Sequence, residues 1–376
     1  MQDARQRRPL RSAAKCLATA LRVKIVAVEN CDARALFQVT TATLFLTALV
    51  GMFLGSQSVA SSEDADAFAY NRLLGRGMNI GNALEAPSEG AWGVTLKPEY
   101  FQAIQDAGFN SVRIPIRWSA HALPEPPYTI SPAFFARVDW AIDQALSRKL
   151  TAVIDMHHYG EMDQDPVQKA PRLIALWKQI ATRYQGRPQA LYFELFNEPE
   201  DKFTDSLWNE IFPKLLQTIR EDNPKRMVII GPGYWNTFYH LPYLELPQDD
   251  RRLIVTFHYY EPMHFTHQAQ SWLPGSQAWK GTGWGTAQER DELHENFEKA
   301  DAWARHNQRP LYLGEFGSSE NADIEARVAW TQAVTREAEK LGFSWSYFQF
   351  CSNFGVYDTT TRTWNQPLLQ TLLDRN

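Results

Sequence analysis

The chain has 376 residues, 44% hydrophobic and 22% charged, a globular balance that excludes a disordered polymer and suffices for one large domain. Its formal charge of −5 is unevenly placed: residues 1–62 hold eight Lys/Arg against three Asp/Glu and leave a net −10 on the remainder. A body that acidic argues against nucleic acid as a partner, and nothing in it implies a protein partner.

In chain order, the first feature is a basic stretch followed by Ala35 to Ser62, which holds no charge. Its centre, Ala42 to Leu54, is apolar and is followed by Ser58-Val59-Ala60, a small-residue pattern of the kind signal peptidase cuts after. Residues 1–62 are therefore expected to be an export signal, with an uncleaved membrane anchor as the alternative because the basic region is unusually long. Residues 63–376 are expected to form the folded domain, secreted, periplasmic or facing outward. Cys351 is the one cysteine of that body, so it has neither an internal disulfide nor a Cys-rich metal site.

After Glu63 short apolar runs alternate with longer amphipathic ones. The runs are Gly75–Asn82, Ser111–Trp118, Thr151–His158, Leu191–Pro199, Met227–Trp235, Leu253–Tyr260, Leu311–Gly317 and Ser344–Phe350. Several are nearly continuous in Val, Ile, Leu and aromatics, as strands buried on both faces must be. Between them the spacing predicts helices, most clearly over Pro132–Lys149, with Ser131 as N-cap and Phe135, Val138, Ile142 and Leu146 on one stripe. Thr204–Glu221 and Ala322–Leu341 read the same way. Eight such units predict an α/β fold of the (β/α)8 TIM-barrel type; an open doubly wound sheet lacks its glycine-rich loop after the first strand. The connection Glu261 to Gln288 is too long for a plain loop and carries Trp272, Trp279 and Trp284, which marks it as functional.

Barrel enzymes work at the C-terminal ends of their strands. Those ends deliver Asn82 with Glu85, Arg113, His157 and His158, Asn197 and Glu198, Trp235, His258 and Tyr260, Glu315, and Phe348. Glu198 in LYFELFNEP and Glu315 in LYLGEFG are carboxylates in apolar runs, which is costly unless they are paired or functional. Two carboxyl groups across a cleft are the equipment of glycoside hydrolysis. Glu194 shares the inward parity but lies deeper, as a partner for a buried cation such as Arg113. A metal site at His157, His158 and Glu161 is disfavoured, because adjacent strand residues face opposite ways. No metal and no cofactor are expected. Asn82 and Glu85 bind a sugar away from the scissile bond or serve the turn, and Trp235 stacks on substrate or closes the fifth strand. All 13 tryptophans lie at or after Trp92, and several sit in loops, where flat rings suit a neutral, hydroxyl-covered ligand.

The stretches RGMNIGNALEAPSEGAWG (76–93), VRIPIRW (112–118), VIDMHHYGEM (153–162), FELFNEP (193–199), VTFHYYEP (255–262), LGEFGS (313–318) and FGVYD (354–358) occur in order over nearly the whole body. In them the chain resembles glycoside hydrolase family 5. The resemblance implies a retaining mechanism with Glu198 as acid/base and Glu315 as nucleophile. It further implies that Asn197 holds the sugar 2-hydroxyl, that Arg113 and Tyr260 bind the nucleophile, and that His157 and His258 line the same subsite, with His158 a sugar contact. Arg113 is expected to keep Glu315 ionised with a low pKa. The family's tryptophan platform after the eighth strand is replaced here by Phe348. The expected function is an endo-acting β-1,4-glucanase on cellulose-type polysaccharide. β-Mannan, xyloglucan or mixed-linkage glucan are alternative substrates, and a non-catalytic carbohydrate-binding barrel is the alternative class.

Overall fold

The computed structural model describes residues 66–374, so the expected export segment at 1–62 lies outside the described residues. Eight parallel strands close a barrel in sequence order. They are β1 (Arg76–Asn79), β2 (Ser111–Ile114), β3 (Thr151–Asp155), β4 (Leu191–Glu194), β5 (Val228–Ile230), β6 (Leu253–His258), β7 (Leu311–Phe316) and β8 (Ser344–Tyr347). The ring closes through Gly77, which stands opposite Ser111 on one side and Ser346 on the other. The expected barrel is observed, but its strands are shorter than the apolar runs. β4 ends at Glu194, whose last ladder partner is Ile229, and single backbone bonds such as Asn197 N–H to Met156 O carry the chain beyond it. Glu198 consequently sits on a loop above the rim, and Trp235 in the short helical turn Gly233–Asn236, rather than on strands.

Helices Pro98–Ala107, Pro132–Ser147, Pro166–Tyr184, Asp205–Asp222, Ala287–Asn307, Ile324–Lys340 and Gln366–Leu373 pack around the strands. The helix foreseen at Pro132 begins there with Ser131 at the cap position, though the serine hydroxyl makes no capping bond. Phe135, Val138 and Ile142 are buried as the stripe requires, and Leu146 is half-buried. Between β5 and β6 the chain makes no long helix; a 3-10 turn, Phe238–Tyr243, stands in its place.

Side chains of alternate strand residues fill the barrel in layers. The lowest is apolar: Val153, Tyr192, Ile229, Ile254 and Tyr312 pack with Ala67 and Leu74 of the helix Ala67–Leu74, which plugs the bottom. That helix is tied in by Asn71, whose amide donates to Leu311 O at 2.9 Å and whose carbonyl accepts from Ser344 Oγ at 2.7 Å. The next layer is polar and is built around Arg113, Asp155, Glu194 and Asn79, all buried.

A bulge in β7 sets the top. Gly314 and Glu315 together stand against Ser346 alone, because Leu313 pairs with Trp345 and Phe316 with Tyr347. The extra residue turns Glu315 inward, where strict alternation after Tyr312 would send it outward. A Cβ at Gly314 would lie 2.5 Å from Thr256 Oγ1 and 3.2 Å from His258 Nε2, so the bulge needs glycine.

Candidate active site

The Arg113 guanidinium, wholly buried, organises the floor. It grips Glu194 with two bonds, Nε at 2.7 Å and Nη2 at 2.8 Å, so the partnership read from the sequence is present. Nη2 also meets Asp155 Oδ2 at 2.7 Å and Asn197 Oδ1 at 2.7 Å. Nη1 donates to Asn79 Oδ1 at 3.0 Å and to Glu315 Oε1 at 2.6 Å. One cation thus serves three buried carboxyl groups, a balance that favours retained protons.

Two of these partners, Asp155 and Asn79, were not among the residues singled out in the sequence. Asp155 receives the Ile116 N–H at 2.9 Å and lies 2.7 Å from His157 Nδ1. Its signal was its place two residues before His157 on a strand, which gives both the same parity. Asn79 carried no signal, since an Asn in RGMN reads as well as a strand end.

Glu315 sits between two donors, Arg113 and Tyr260, whose hydroxyl donates to Oε2 at 2.9 Å. Glu198, across from it, meets His258 Nδ1 at 2.6 Å through Oε1. One oxygen of Glu198, one of Glu315 and the His258 nitrogen all lie within 4.8 Å of one another. These are donors a metal could use, but Arg113 already neutralises Glu315 and would repel a second cation. A second such group, His294, Glu298 and Glu337, lies on the outer surface, where Glu337 is engaged by Lys340.

Burial dominates the titration of the pair. It pushes Glu198 up to about 8, with Arg113 opposing and Glu200 and Glu194 adding to the rise. Glu315 is also raised, chiefly by burial, against the pull of His258, Arg113 and Tyr260. The lowered pKa expected of Glu315 is therefore not the net result: loss of water outweighs the guanidinium. His157 and His258 are held below their ordinary values by burial, which keeps both neutral at pH 7.

The remaining residues lie around this centre. His158 is exposed at positive φ, with its ring 4.5 Å from His157 and 5.4 Å edge-on from the exposed Trp92. Phe348 is half-buried, against the position where Gly81 lacks a Cβ. Asn82, also at positive φ, accepts from Gln349 Nε2 at 3.1 Å and donates to Ser352 Oγ at 3.0 Å. Glu85 is almost completely buried, and its carboxyl group accepts from the Asn82 and Ala83 backbone N–H groups. Of the two roles open to Glu85, the turn is the one its hydrogen bonds serve. Trp235 does not close β5, which ends at Ile230; it stands exposed on the rim with its N–H on Pro199 O and its indole on Glu200. From the long β6 loop, His267 packs edge-on against Tyr260 at 4.9 Å, a support the sequence did not reveal.

Comparison with known proteins bears on this arrangement. Residues 75–354 match the family model described as cellulase, glycosyl hydrolase family 5. Endoglucanase H of Acetivibrio thermocellus is 37% identical over 321 residues, covering 84% of this chain but only 34% of that protein. The chain thus spans about a third of that relative's length. Thermotoga maritima Cel5A, solved with cellobiose, is 49% identical with a TM-score of 0.81, covering 82% of this chain and all of that one. The same protein solved with mannotriose matches at 48% identity, with the same TM-score and coverage. The chain belongs to glycosyl hydrolase family 5.

Proposed function

We propose that this chain is an exported, retaining endo-β-1,4-glucanase acting on cellulose-type polysaccharide. The observation that carries the reading is the pair Glu198 and Glu315, with oxygens within 4.8 Å and with unlike partners. Retaining enzymes hold their two carboxyl groups about 5–5.5 Å apart, inverting ones about 6.5–9.5 Å. Glu315, facing Arg113 and Tyr260, is the group stabilised as an anion, and so the nucleophile that attacks the anomeric carbon. Glu198, facing only a neutral imidazole, keeps the proton and delivers it to the departing oxygen. It then takes a proton from the water that releases the glycosyl-enzyme. Asn197, fixed by Arg113, is placed for the sugar 2-hydroxyl, and His157 and His158 for neighbouring hydroxyls.

Glu315→Ala is expected to lower carboxymethylcellulose hydrolysis by on the order of 10³-fold or more while the fold persists. Turnover undiminished in that variant would overturn the mechanism. A second reading, β-mannan as an equal substrate, is favoured by the relative solved with mannotriose. A panel of carboxymethylcellulose, glucomannan, galactomannan, xyloglucan, barley glucan and xylan with product sizing decides between them. The absence of any β-glycan hydrolysis would leave a carbohydrate-binding barrel instead.

A further inference from the structure

The segment that replaces a helix between β5 and β6 is unlike the rest of the surface. Four large aromatic rings within residues 234–243 are exposed: Tyr234, Trp235, Tyr239 and Tyr243, each at 41–59%. Apolar rings gathered in this density on a polar surface mark a ligand-binding area.

Three of them form a connected row with His240. The Trp235 and Tyr234 centroids are 4.6 Å apart, Tyr234 stacks on His240 at 4.6 Å with planes 13° apart, and His240 lies 5.3 Å from Tyr243. The row is built to stay in place. Asp205 accepts from Gly233 N–H through Oδ1 and lies 2.7 Å from His240 Nδ1 through Oδ2. Asn209 on the same helix donates to Tyr243 O at 2.8 Å and accepts from Glu245 N–H. Tyr234, Trp235 and Asn236 hold three successive positive φ angles, a backbone that persists only when its surroundings enforce it. One face of Tyr234 is stacked on His240, yet the residue remains 55% exposed.

The row is continuous with the cleft at the acid/base. Trp235 is bonded to Pro199 and to Glu200, the two residues after Glu198. The group that a protonated Glu198 serves is the departing one, so the row starts on the leaving-group side of the scissile bond. Flat, fixed aromatic faces set in an acidic body suit the hydroxyl-edged, apolar-faced rings of a neutral glycan, and not an anion or an apolar peptide.

We propose that Tyr234, His240 and Tyr243 form an aromatic track that carries the leaving-group end of a β-glycan chain beyond the cleft, so that long substrates are preferred to short ones. The inference rests on the glucanase reading above. Its test compares the full chain with Tyr234→Ala/Tyr243→Ala on carboxymethylcellulose and on an aryl β-cellobioside, whose small leaving group does not reach the track. We expect kcat/KM on the polymer to fall about tenfold while the aryl glycoside is turned over at an unchanged rate. In a Glu315→Gln background, retention on insoluble glucan should fall with the same double substitution and return with Tyr243→Trp in place of Tyr243→Ala. Equal rates on the polymer, or equal losses on both substrates, would overturn the track. Failure of the unaltered chain to hydrolyse either substrate would instead overturn the glucanase reading on which it stands.

Discussion

At the scale of single residues, the proton on Glu198 governs both rate and stability. With its carboxyl pushed up to about 8, activity should hold through neutral pH and decline as pH passes that value. A raised acid is protonated in the folded state but ionised in the unfolded chain between its ordinary value near 4.5 and about 8. Its contribution to stability is therefore complete below about 4.5 and is lost as pH rises through about 8. Glu85, raised to about 8 by burial, acts in the same direction. Thermal midpoints measured from pH 5 to 9 should fall with rising pH, and Glu198→Gln should flatten that slope while removing the alkaline limb of the rate profile. A midpoint that climbed with pH would refute both assignments. Phe348 is the residue where the sequence warned of a departure from the family; it follows directly on β8 and is half-buried.

At the scale of elements, the bulge of β7 decides where the nucleophile points. Gly314→Ala should push Thr256 and His258 aside, costing about 1–3 kcal/mol of stability by overpacking and depressing kcat more than KM, since Glu315 shifts with its strand. Denaturant unfolding and steady-state kinetics on one preparation check both; a neutral alanine would mean that the strand slides freely. The bulge also shows what sequence patterning reaches and what it does not. The eight runs were visible because a strand covered on both faces must be largely apolar, and β3 and β6 are buried at every position. Strand ends were not, because apolarity continues into rim segments such as Leu195-Phe196, which are buried beyond the last ladder pair. The two glutamates were legible because a charge is conspicuous in an apolar run. Asp155 and Asn79 were not, since their meaning lies in contacts to a single guanidinium drawn from four strands. The bulge that aims Glu315 leaves no mark beyond one glycine.

For the whole molecule, the barrel separates holding from acting. The lower half is closed by Ala67–Leu74 and an apolar layer of tyrosines and aliphatics, and it touches none of the reacting groups. Asn71→Ala removes bonds to Leu311 and Ser344 and leaves their buried partners unmatched, which should cost about 1–3 kcal/mol. The thermal midpoint should fall by several degrees while kcat stays within error; a loss of kcat comparable to that of a rim variant would show the halves to be coupled.

One consequence of the β7 bulge reaches into heredity. Substitutions around the cleft change rate by degrees, because each removes one contact of several. Loss of the single codon for Gly314 would restore strict alternation after Tyr312 and Leu313, keep the glutamate facing inward and draw it one residue towards the barrel floor. The height at which the nucleophile stands above the floor is thus set at that point by chain length as much as by residue identity.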